Sequence, residues 1–261
     1  MIEFNLLYII IFCLTVVQSI IGIGILALGT PIMLLMNYSL IDCLNLLLPF
    51  SIITSCLNII IISLGNNINK NNLYKTKNFF EKKILIYFFL ICIPSLFCGL
   101  ILLKIFQNHI NFKIIVGIFI IFSLVFKIIY IDKISKISNL GKKITFFIIG
   151  IIHGSTNSGG ALLSLFISSL NKSFKKQSRF SITFFYFFLA TFQYLIFILI
   201  FDLTTFSSLL IFSFVTCFFG FITGNYLIKK VNEFYLKKSI EILAFFTALF
   251  LILDGFSLLS I

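Results

Sequence analysis

Apolar residues follow one another along this chain in runs, and the lengths of the runs predict helices that cross a bilayer. A hydrocarbon core roughly 30 Å thick takes about 20 helical residues to span. Unbroken runs of that order lie near residues 42–64, 84–106, 112–131, 181–201, 206–228 and 240–259. Two further runs, Leu6 to Met36 and Ile144 to Leu170, are interrupted midway by glycine and small polar residues. The first break reads Gly22-Ile-Gly24-Ile-Leu-Ala-Leu-Gly29-Thr30-Pro31, and the second reads His153-Gly154-Ser155-Thr156-Asn157-Ser158-Gly159-Gly160. Interrupted apolar segments at corresponding places in two halves of a chain point to the substrate site of a secondary transporter.

The broken runs are too long for simple spans, because 31 helical residues measure about 46 Å and 27 about 40 Å. They either tilt steeply across the membrane or fold back on themselves, and the basic residues choose between these. Cytoplasmic loops carry the excess of Lys and Arg. The 20 basic residues fall between the second and third segments (Lys70, Lys75, Lys77, Lys82, Lys83), around the next loop (Lys104, Lys113), and at the fourth-to-fifth junction (Lys127, Lys133, Lys136, Lys142, Lys143). The rest follow the second broken run (Lys172, Lys175, Lys176, Arg179) or separate the last two spans (Lys229, Lys230, Lys237, Lys238). If all eight segments cross, the two faces share them ten against ten. If the two broken runs are re-entrant hairpins, the division becomes eighteen against two.

The hairpin arrangement predicts an all-α polytopic membrane protein in one domain over residues 1–261. It holds two repeats, about 1–131 and 144–261, each a glycine-broken re-entrant hairpin followed by three transmembrane helices. Three crossings are an odd number, so the repeats are expected to be inverted. Both termini are then expected outside the cytoplasm, in a multi-pass protein of the cell's inner membrane.

Composition narrows the class further. A chain that is 60% hydrophobic and 11% charged, with a mean hydropathy of +1.17, is excluded from the water-soluble domains. The longest polar stretch, Gly65 to Lys83, reads as a solvated loop. Met1-Ile-Glu3-Phe-Asn5 places no basic residue before the first run, and no small-residue cleavage pattern follows, so that run is expected in the mature protein. The six cysteines show no CxxC or Cys/His spacing and read as small buried hydrophobes, and no metal or cofactor is expected. The net charge of +12 follows from basic residues flanking spans on one face, so nucleic acid is not an expected partner. The lipid bilayer and a small anion are. The acidic residues Glu3, Asp42, Glu81, Asp132, Asp202, Glu233, Glu241 and Asp254 read as nearly all peripheral, which argues against a cation carrier.

Non-helical backbone at membrane depth must be enclosed by protein or line a water-filled cavity, so the tips of the hairpins belong at the centre of the molecule. Each returning half-helix starts at its tip, where unpaired N–H groups and the positive end of the helix dipole attract anions. The expected substrate site is therefore Gly22, Gly24, Gly29 and Thr30 from the first tip, with His153, Gly154, Ser155, Thr156, Asn157, Ser158, Gly159 and Gly160 from the second. Pro31 fits the first turn of the returning half-helix. His153 either assists the anion or carries a coupling proton when charged, or donates to a backbone carbonyl as a neutral ring. Gly150 and Gly154 share the spacing of a helix-packing pair, as do Gly220 and Gly224. Ser51, Ser55 and Asn58 share one helix face, as do Tyr186 and Gln193, and both sets are candidates to line the same cavity. Pro94 is expected to kink the third segment.

The stretches Gly22-Ile-Gly24 through Pro31, and Gly150-Ile-Ile-His-Gly154 through Gly159-Gly160-Ala161, resemble the glycine-rich openings of the duplicated modules in the sulfite exporter (TauE/SafE) family, also called the toluene sulfonate uptake permeases. The first module lacks a run of adjacent glycines, and Ala161 stands where proline is common. The resemblance implies a permease for sulfite, sulfoacetate, thiosulfate or a related organosulfur anion. Two alternatives belong to other classes: a membrane-embedded lipid-modifying enzyme, which would need the acidic or histidine clusters this sequence lacks, and a non-transporting subunit of a membrane complex.

Overall fold

The computed structural model describes residues 2–68, 82–130, 137–170, 175–201, 208–228 and 230–257. The elements are α1 (Ile2–Ile21), α2 (Ile25–Leu35), α3 (Leu40–Ile68), α4 (Lys82–Tyr87), a π turn (Phe88–Cys92), α5 (Ile93–Phe106) and α6 (Phe112–Tyr130). They continue with α7 (Asn139–Thr156), α8 (Gly159–Leu170), α9 (Lys175–Phe201), α10 (Ser208–Leu227) and α11 (Glu233–Ser257). Five stretches are long and apolar enough to cross a membrane: Leu40–Leu64, Lys82–Phe106, Phe112–Ile129, Arg179–Phe201 and Lys238–Ser257. They match five of the six unbroken runs, and α10 occupies the sixth. The protein is thus an all-α polytopic membrane protein. Large apolar side chains such as Ile128 (79% exposed) and Leu199 (78%) face outward, where lipid takes the place of water. The polar stretch expected as a loop is shorter than the sequence suggested: α3 runs on to Ile68 and α4 starts at Lys82, and residues 69–81 lie outside the described set.

Both interrupted runs fold back as helical hairpins. α1 ends at Ile21, and Gly22 takes φ +95°, where any side chain is strained and a Cβ would meet Thr183 Oγ1 at 2.6 Å. α2 then returns beside α1. Gly24 lies against Val17 and Gln18, and Gly29 lies between Leu14 and Leu47, so numbers rise along one helix as they fall along the other. α7 likewise ends at Asn157, in the left-handed region at φ 61°. α8 runs back along it, with Gly159 on His153 and the rings of Phe146 and Phe166 5.1 Å apart. Pro31 departs from expectation. It sits inside α2, whose first residue is Ile25, so its missing N–H deprives the Ala27 carbonyl of its helical donor.

Small residues set the two most extensive helix pairings. α7 runs parallel to α5, with Gly150 on Cys92 and Ser95, and Gly154 on Leu96, Gly99 and Leu100. α1 runs parallel to α10, with Gly220 on Phe12 and Thr15, and Gly224 on Val16 and Ser19. Without side chains between them the backbones approach closely, which is how helices associate in lipid. α6 and α11 are antiparallel, joined by Asn111 to the Gly255 carbonyl (3.0 Å), Lys113 to Asp254 (2.6 Å) and Lys127 to Glu241. α3 and α9 are also antiparallel, with Asn58 opposite Arg179 and the earlier Ser51 near the later Tyr186. Before Pro94 the chain relaxes into the π turn rather than a plain kink, the wider turn accommodating the absent N–H. The bulge packs Phe88 edge-on against Phe185 (4.9 Å) and Phe146 (6.0 Å), which ties α7 and α9 together below the second hairpin.

Candidate functional site where the hairpin tips meet

The two hairpins touch through one buried hydrogen bond, from Asn157 Nδ2 to Thr30 Oγ1 at 2.7 Å. Asn157 reaches Thr30 because it caps α7 in the left-handed conformation, its own N–H donating to the His153 carbonyl at 2.9 Å. An asparagine tolerates that backbone at small cost. Thr156 Oγ1 donates to the Ile152 carbonyl (2.7 Å) and lies 2.6 Å from Ser158 Oγ. Gly160 lies against the ring of Tyr186, and a side chain at Gly159 would strike His153. Ser155 turns away from the tip. Its hydroxyl bonds the Ile151 carbonyl (2.9 Å), and its amide is packed on Gly99 of α5.

Behind the tip lies a group of buried polar atoms that the protein leaves incomplete. Both ring nitrogens of His153, Asn157 Oδ1, the Tyr186 hydroxyl and Gln193 Oε1 have no hydrogen-bond partner among the described residues. Gln193 Nε2 donates to the His153 carbonyl at 3.0 Å, which fixes its oxygen as the free end. The Tyr186 ring stands 6.3 Å from the imidazole. Its hydroxyl faces Ser51 and the Leu26 and Ala27 amides without meeting hydrogen-bond geometry. Each unsatisfied buried group costs about 1–3 kcal/mol, so five together call for water or a solute to complete them.

The first tip is held by Gln18, which the sequence reading passed over as one polar residue in an apolar run. Its Oε1 accepts from the Ile25 N–H at 3.0 Å, and its Nε2 donates to the Ser51 carbonyl (3.0 Å) and Ser55 Oγ (3.0 Å). One amide of the α2 start is therefore already satisfied, and Leu26 and Ala27 are the first-turn positions without an intrahelical acceptor. Asn58 Oδ1 accepts from Arg179 at 3.1 Å, and Arg179 also donates to the Ser19 carbonyl at the end of α1. Ser51, Ser55 and Asn58 thus converge on Gln18 and Arg179. Arg179 is the sole arginine of the chain. The charge count treated it as a loop residue, although it packs on Gly22.

A cavity of about 300 Å3 opens beside the joined tips, between α2, α6, α8 and α11. Of the candidates, Gly24 and Ser158 line it. Gly29 is enclosed by leucines, and Gly154 is enclosed by α5. The lining adds Ser123, Ser164, Ser168 and the Lys127–Glu241 ion pair, none of them singled out by sequence. Ala161, Ser164 and Ser168 recur at helical spacing along one face of α8, and that periodicity was the available signal.

The model of the sulfite exporter TauE/SafE family matches residues 7–251, all but the first five residues of the first hairpin, the whole of the second and nearly all of the helices around them. The chain belongs to that family. No curated protein and no solved structure matches it. TauE/SafE membership places this helical assembly among the membrane transporters. It also gives the paired hairpins a family context, since both hairpin turns lie within the matched span.

Proposed function

We propose that the chain is a secondary permease that carries sulfite or a related organosulfur anion across the cytoplasmic membrane by alternating access. The observation that carries this reading is the meeting of two hairpin tips at Asn157 and Thr30, beside a cavity of about 300 Å3 and a set of incomplete buried polar groups. The anion would be held by Ser158, the first-turn amides of α2 and α8, and the group around His153. A site between Thr30 and Ser155 is not part of this proposal, because Thr30 already bonds Asn157 and Ser155 faces α5. Labelled sulfite uptake into proteoliposomes tests the function. Saturable flux is expected, and no flux for sulfite, thiosulfate or sulfoacetate would overturn it.

The two halves are proposed to be inverted repeats of one transport domain, residues about 1–131 and 144–261. In support, α1 stands to α10 as α7 stands to α5, while α3 with α9 and α6 with α11 pair antiparallel. The Lys-rich ends of the helices are assigned to the cytoplasm, which leaves both termini outside. A reporter fused after Ile261 should be active in the extracytoplasmic space, and a cytoplasmic signal would reverse the topology.

A further inference from the structure

Among its described lining residues the cavity offers an anion one full positive charge, Lys127 of α6, and Glu241 of α11 already holds it. The opposite end of α6 shows what a permanently satisfied lysine looks like here. Lys113 Nζ bonds both Asp254 (2.6 Å) and Asn37 (2.7 Å), where α2 ends. Lys127 stands about 21 Å farther along α6 at 1.5 Å per residue, lining the same cavity as Gly24 and Ala27 at the start of α2. Its ammonium group carries three donors and has one acceptor among the described residues, Glu241. An anion brought to the α2 and α8 starts therefore enters within reach of a cation with donors to spare.

We propose that the transported anion displaces Glu241 from Lys127 and that the released carboxylate takes up a proton, so that one anion and one proton cross together. The step rests on the permease reading above. With Lys127 taken by the cargo, Glu241 has no other cation among the described lining residues to pair with, and the cargo brings a like charge beside it. Once the anion leaves, Lys127 recovers its partner and the proton returns to water. A monoanion and a proton together carry no net charge, and no bond beyond the O–H of Glu241 is made or broken. The groups around Glu241 permit this. α2 has no titratable side chain, α6 presents Lys127, and of the α1 residues Glu3, Tyr8 and Cys13 none among the described side chains lines the cavity. On α11 itself Lys238 lies one turn before Glu241 and is exposed.

The test uses the full chain in proteoliposomes, with labelled sulfite as the probe in mildly acid buffer, where hydrogensulfite predominates. Coupled uptake is expected to be driven by an inward proton gradient and to ignore a potassium-diffusion potential set with valinomycin. Glu241→Gln should lose the response to the proton gradient and gain a response to the potential. Uptake by the unaltered protein that follows the potential would overturn the coupling and leave the permease reading standing, whether or not the variant folds. Electroneutral uptake by Glu241→Gln would overturn the assignment to that residue. Absence of any sulfite flux would overturn the permease reading and the coupling with it.

Discussion

Gly154→Ala is expected to cost about 3 kcal/mol of stability and to lower the heating midpoint of the detergent-solubilised protein by roughly 10 °C. Alanine ordinarily strengthens a helix interior by about 1 kcal/mol over glycine, so the sign depends on which effect is larger. Here the new methyl group would press on the Leu96 carbonyl, lie 2.9 Å from the Leu100 nitrogen and 3.0 Å from the Gly99 α-carbon. All three are backbone, and backbone cannot rotate out of the way. α5 and α7 must separate, and with them the hairpin that α7 carries. Gly224→Ala provides the comparison, since its methyl would meet the side chain of Ser19 at 2.6 Å and the Val16 carbonyl at 2.8 Å, a milder encroachment with a smaller loss. Size-exclusion profiles after graded heating measure both, and a Gly154→Ala protein as heat-resistant as the parent would refute the packing argument.

This glycine also marks the boundary between what the sequence disclosed and what it did not. Run length identified the spans, because the bilayer imposes one length on every helix that crosses it, and α3, α4 to α5, α6, α9, α10 and α11 fall where the runs lie. The breaks identified the hairpins, since glycine and hydroxyl residues interrupt an apolar run at a cost. What a glycine does once it is there depends on neighbours far away in the chain, and spacing alone could not separate Gly154, enclosed by α5, from Gly24, which lines the cavity. Gln18 was missed for the complementary reason. Its task is to satisfy the Ile25 amide, seven residues away, and two residues of α3, which becomes visible only when α2 is known to turn back. Lys127 and Glu241 were read as the ends of separate spans. Their pairing is a property of the antiparallel contact between α6 and α11, which no local pattern encodes.

The second large effect concerns transport. Asn157→Gly and Thr30→Val are each expected to lower sulfite uptake at least about tenfold, and the double variant no further, because both remove the same hydrogen bond. Loss of that bond leaves one buried partner unsatisfied, about 1–3 kcal/mol, and a tenfold change corresponds to about 1.4 kcal/mol. Asn157→Ala separates the bond from the backbone. It loses the contact with Thr30 (2.7 Å) and must also hold φ near 61°, so it should be less stable than Asn157→Gly by about 1 kcal/mol. Similar stability for Ala and Gly would show that the left-handed cap is not strained. If the two single losses instead multiply in the double variant, Thr30 and Asn157 act on the anion separately, and the joined tips are not the unit that carries it.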